Sequence, residues 1–205
     1  MKKISPYHGS LWEIELNENL GFGYIQIIDA KIYNGWGFLV KIMNYRSEVR
    51  KKKILLEEFY VWDMLTSPLM AAGTIPRKGN RIWKKIGTFP LDITDTHIPF
   101  CKEGSWDYEE KKEVWFVIKN LTPQDWEGGY SYEQIKHLGY YNPVIFLQSI
   151  HHRITMEWMK VLGMDFEVYT TSESDEEHIK TMKHQVKYSV PYSEVPTEIR
   201  GKVKL

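Results

Sequence analysis

Apolar and polar positions alternate through the first part of the chain. Leu11-Trp12-Glu13-Ile14-Glu15-Leu16 pairs each apolar residue with an acid or a second large side chain, the period-two mark of a half-buried strand. Asn17-Glu18-Asn19 is turn material, and Gly21-Phe22-Gly23-Tyr24-Ile25-Gln26-Ile27-Ile28 reads as the returning strand, with glycines 21 and 23 marking a bulge or close approach. A third strand is expected over 36–42, after an Asn34-Gly35 turn. Residues 54–64 carry both a helical start and the β-rich Phe59-Tyr60-Val61-Trp62; a strand is expected there. Further strands are expected at 81–87 and at 113–119, the latter nearly continuous in apolar residues and therefore central. Residues 88–105, with Pro90 and Pro99, read as a long connection.

Beyond 120 the signals turn helical. Thr122-Pro123 fits a cap followed by proline, opening a short turn through Trp126. Ser131-Tyr132-Glu133-Gln134 fits a capping box, closed by Gly139. Asn142-Pro143 is expected to start a longer helix to Leu162, with Gly163 beyond its end. Leu147, Ile150, Ile154, Trp158 and Val161 form its apolar stripe. A strand at 166–169, an acidic loop and a second strand at 184–190 follow, and 191–205 reads as a peripheral tail. The expectation is one α+β domain over 1–205. It comprises a strongly bent antiparallel β-sheet or partial barrel from 1–120, packed against two C-terminal helices within 121–190.

Composition narrows the class. The chain has 205 residues, 42% of them apolar, enough for a core and against disorder. One cysteine excludes an internal disulfide framework. No apolar run reaches the roughly 18–20 residues of a membrane span, and the basic start lacks the apolar stretch of a signal peptide, so a cytoplasmic protein is expected. The formal charge of zero conceals unlike parts: net −1 over 1–40, net +7 over 41–85 and net −6 over 86–205.

Candidate chemistry is sparse. The seven histidines offer no His-x-x-x-His or Glu-x-x-His pair, and adjacent His151 and His152 should diverge by about 100° on a helix, the latter pointing outward with Arg153. No metal site and no cofactor are expected, although His8, His97, His178 and His184 leave room for a remote convergence. Cys101 follows His97 across Pro99 in an extended path and reads as a buried structural thiol. No Gly-x-Ser-x-Gly elbow or phosphate-cradling glycine loop is present, so the expectation is no enzyme. A single-stranded nucleic-acid-binding barrel is an alternative: Arg46, Arg50, Lys51, Lys52, Lys53, Arg77, Lys78, Arg81, Lys84 and Lys85 share one half with Trp36, Tyr45, Tyr60, Trp62 and Trp83. A metal-dependent hydrolase stands third.

The order Gly79-Asn80-Arg81-Ile82-Trp83-Lys84-Lys85-Ile86-Gly87, then Phe89-Pro90-Leu91, then Ile98-Pro99-Phe100, resembles the immunity protein 26 family of bacterial polymorphic-toxin systems. The resemblance covers roughly 8–120, including the opening pair of strands. It implies a small, strongly bent sheet and a non-catalytic protein that neutralises a toxin encoded beside it. A nuclease with a basic cleft is the kind of toxin an acidic surface would suit. Two acidic surfaces are expected to meet it: Glu103, Trp106, Asp107, Tyr108, Glu109, Glu110 and Glu113, and Glu173, Asp175, Glu176 and Glu177.

Overall fold

A computed structural model describes residues 3–33, 35, 37–75, 80–91, 100–119, 121 and 125–202, apart from the side chains of 33, 106 and 142–146. The expected Asn34-Gly35 turn, the Thr122-Pro123 start, His97, Arg77 and Lys78 involve residues outside that set.

The opening hairpin forms as its alternation requires. β1 (Ser10–Glu15) pairs antiparallel with β2 (Phe22–Asp29), and β2 with β3 (Phe38–Ser47). Trp12 and Ile14 join the larger core on one face of the sheet, and Leu11 joins a second cluster with Tyr24 and Phe59. Burial on both faces changes the meaning of Glu13, which the alternation had placed outward: its side chain is fully buried. The Tyr24 hydroxyl donates to Glu13 Oε2 at 2.9 Å, the Lys51 amide donates to it at 2.8 Å, and Arg50 lies 3.3 Å from Oε1. A buried carboxylate is tolerable only with such partners.

The stretch at 54–64 is not a strand. α1 (Leu56–Tyr60) is a short helix that drops Phe59 onto Phe89 at a ring separation of 4.7 Å while Leu56 and Tyr60 stay exposed. β4 (Leu69–Ala72), which lacks alternation because both faces are buried, continues the sheet beside β3. β5 (Trp83–Thr88) pairs with β1 and forms one sheet edge.

The second half keeps adding strands. β6 (Cys101–Asp107), β7 (Lys112–Ile118) and β8 (Trp126–Tyr130) form an antiparallel run, so Trp126 starts a strand and not the end of a helical turn. α2 (Tyr132–Ile135) carries the capping box expected at Ser131 and Gln134 but is a single turn. β9 (Gly139–Phe146) occupies the place expected for a helix start. Its first residues pair parallel with β6 and its later ones parallel with β4, and the register jumps between Asn142 and Phe146, a stretch that contains Pro143, which has no N–H to give. Gly139 is required there, because a Cβ would stand 1.7 Å from the Pro68 carbonyl oxygen.

The result is an α+β fold around one open nine-stranded sheet of order β5-β1-β2-β3-β4-β9-β6-β7-β8. It is mixed where an antiparallel sheet was expected, because β9 runs parallel to both its neighbours. β7 is next to the β8 edge and is not central. The two longer helices are α3 (Ile150–Val161) and α4 (Glu176–Lys187). The first begins eight residues later than Asn142 suggested. The second replaces the strand expected at 184–190, because Ile179, Met182 and Val186 repeat at helical spacing into the core. Ile150, Ile154 and Trp158 pack with them over Trp12, Ile14, Ile25 and Ile42. Val161 ends the stripe half exposed, and Gly163 beyond it takes a φ of 72°. Residues 166–168 form a 3-10 turn, not a strand. The chain from 191 is tied in: the Tyr192 amide donates to Leu65 O at 3.0 Å, and Val195 is buried. Among the described residues no helix is long and apolar enough to cross a membrane.

Candidate functional site

The β6–β7 turn is built by one acid. Asp107 Oδ1 accepts from the amides of Glu109 at 2.9 Å and Glu110 at 3.0 Å, and Lys111 takes the left-handed conformation that reverses the chain. Tyr108 at the tip is 85% exposed, and Glu109 and Glu110 are exposed beside it. Glu110 pairs with Lys112. Glu113, at the start of the returning strand, lies 3.7 Å from His184.

Next to this turn is a groove of about 650 Å³, lined by Asp107, Glu113, Trp115, Phe116, Tyr130 and Tyr132 among others. Its aromatic wall is held in place from below. Trp115 lies over Gly104, where a Cβ would come within 2.9 Å of the indole ring. The Trp115 ring centroid is 5.0 Å from that of Tyr132, in tilted packing, and 5.5 Å from that of Tyr188, edge to face. The Tyr132 hydroxyl donates to Tyr188 O at 3.1 Å. Behind them the Lys102 ammonium donates to the carbonyls of Lys136 and Tyr188 and lies 4.8 Å from the Tyr140 ring centroid. Burial lowers the Lys102 pKa to about 7, with Arg153 adding to the effect.

Glu103 departs from its expected place. It sits in β6 opposite Phe116, only partly exposed, and burial raises its pKa to about 7. Its Oε2 has no hydrogen-bond partner among the described residues. It is therefore a poor member of a solvated acidic face. The backbone of Trp106 lies in β6, and its side chain is outside the described set.

The second expected surface forms elsewhere. Asp175 caps α4 by accepting from the Glu177 amide at 2.8 Å, and Glu176 and Glu177 occupy the first turn, where the helix dipole favours acids. Glu173 turns toward His151, with 3.4 Å between Oε2 and Nε2. The first surface meets the other end of α4, through His184 and Tyr188. Twelve residues of helix span about 18 Å, so the two acidic clusters are separate.

Among the described residues the basic and acidic parts stay apart in their ion pairs. Arg50 pairs with Glu13 and Glu15, and Lys51 with Glu58, within the first 85 residues. Lys119 pairs with Glu127, Lys136 with Glu133 and Arg153 with Glu157 within the acidic part. Three aromatics of the basic stretch are occupied, Tyr45 and Trp62 stacking on each other at 4.0 Å and Trp83 being buried, while Tyr60 is exposed. Cys101 is buried, which raises its pKa to about 12 and keeps it a thiol.

Sequence reasoning missed the aromatic wall. Trp115, Tyr132 and Tyr188 belong to three elements that only the sheet order brings together. It also placed His152 and Arg153 outward, whereas both are buried. Comparison of the chain with protein-family models, with curated proteins and with solved structures gives no match.

Proposed function

We propose that this chain is a non-catalytic immunity protein that binds and neutralises a toxin encoded beside it, and that the β6–β8 groove is its contact surface. The observation that carries the reading is the aromatic wall of Trp115, Tyr130 and Tyr132 beside an acidic turn. Rigid aromatics in a groove are the anchors of tight protein interfaces, and exposed acids steer a basic partner without having to be buried. A basic nuclease is the partner class that suits this arrangement. The strong bend of the family's sheet belongs to the same reading.

The test is co-expression with the neighbouring candidate toxin, read as rescue of growth and as co-purification. Rescue together with a stoichiometric complex is expected. A toxin that remains lethal and does not co-purify removes the reading.

A further inference from the structure

Two adjacent histidines should not converge on a regular helix, yet His151 and His152 do, with ring centroids 3.8 Å apart at the first turn of α3. Glu173 reaches the same point from the loop before α4, and one donor atom from each of the three lies within 4.8 Å of the others.

The hydrogen bonds decide what His151 presents. Its Nδ1 lies 3.2 Å from the Gln148 carbonyl oxygen, which can only accept, so Nδ1 carries the proton. In the neutral ring Nε2 then holds a lone pair. That nitrogen is buried, has no hydrogen-bond partner among the described residues and faces Glu173 Oε2 at 3.4 Å. A lone pair meeting a carboxylate oxygen repels it unless a cation stands between them. A proton would serve that one pair alone, whereas a metal ion would also engage His152, whose donor atom stands within the same 4.8 Å.

We infer that His151, His152 and Glu173 form a binding site for a divalent transition-metal ion, with zinc as the best fit. Two imidazoles and a carboxylate are the donor set of open, three-ligand zinc sites. Bonds of about 2.1 Å at the tetrahedral angle set two donors about 3.4 Å apart, the separation found between His151 and Glu173. The surroundings orient the ligands as metal sites require. Gln148 fixes the His151 tautomer, and the Tyr169 hydroxyl, 2.7 Å from His152 Nδ1, holds the second ring. Glu173 is largely exposed, which leaves the remaining coordination position open to water.

Tag-free protein stripped with a chelator and titrated with Co²⁺ and Zn²⁺ tests this, by visible absorption and calorimetry respectively. One ion per chain with low-micromolar or tighter affinity is expected, together with the d–d bands of four-coordinate Co²⁺. Glu173→Gln alters an exposed side chain and should fold normally while weakening binding by about tenfold or more. His151→Gln should do the same, and His178→Ala, outside the site, should leave binding unchanged. Absence of binding by the wild-type chain, or equal binding by Glu173→Gln with its fold intact by circular dichroism, overturns the inference.

Discussion

Arg153 donates from Nε and Nη2 to a single oxygen of Glu157, at 2.8 and 2.5 Å, one helical turn away in α3, with both side chains 2% exposed. Gln185 accepts from Arg153 Nη1 at 2.6 Å, and Ser189 donates to the other Glu157 oxygen at 2.8 Å. The pair thereby fastens α3 to the end of α4. Lys102 and Lys160 lie close enough for each to feel both members of the pair.

That arrangement makes the two halves of the pair unequal. Glu157→Gln leaves Arg153 and the neighbouring lysines without their carboxylate and should cost about 3–5 kcal/mol. Arg153→Met leaves Glu157 with cations and Ser189 nearby and should cost less. Urea unfolding of both variants gives the order, and the reverse order would show that the lysines do not share the carboxylate.

Lys102 should make stability rise with pH. Its pKa is about 7 in the folded protein, well below the ordinary lysine value of about 10.4. Between those values the unfolded chain binds the additional proton, so raising the pH favours folding. The free energy of unfolding of the wild type, measured against Lys102→Met, should climb from about pH 7 to about pH 10. A flat difference would mean that the ammonium keeps its charge in the core.

Glu103 should act in the opposite direction. Its pKa is raised to about 7, so the folded protein retains a proton that the unfolded chain releases in the ordinary carboxylate range. Stability is lost as the pH rises through that window. Glu103→Gln should therefore melt close to the wild type at pH 4 and above it at pH 8. Identical melting curves at both values would place the carboxylate in water.

Under the proposed function, charge reversal at the exposed turn should slow association with the partner toxin. The double variant Glu109→Lys, Glu110→Lys should lower the association rate about tenfold in low salt and less in high salt, with dissociation little changed. Tyr130→Ala should mainly speed dissociation. Surface plasmon resonance separates the two effects, and a salt-independent rate for the double variant would remove steering from the account.

Much of the fold was legible locally. β1 announced itself by alternation and β2 as its return after the Asn17-Glu18-Asn19 turn, β5 was legible as a short strand, α2 by Ser131 and Gln134, and the end of α3 by Gly163. α4 was written in the chain as well, in Asp175 and the helical spacing of Ile179, Met182 and Val186, beneath a surface that read only as acidic. Asn142-Pro143 misled, because proline suits a helix start and an irregular strand alike, and the choice depended on β4 and β6 standing free to pair. For the candidate site, the sequence supplied the acids of the β6–β7 turn. It could not distinguish Asp107, which shapes the turn, from Glu109, which faces solvent.

By itself the sequence determined the class of fold, the separation of a basic stretch from an acidic one, and most strands of the first half, since these follow from periodicity and composition. Only the tertiary structure decided what stands next to what. β9 joins two strand groups, α4 spans the two acidic clusters, and Glu173 reaches His151 across more than 20 residues. Such neighbours are set by which strands lie side by side and by burial on both faces of the sheet, and neither leaves a period in the chain.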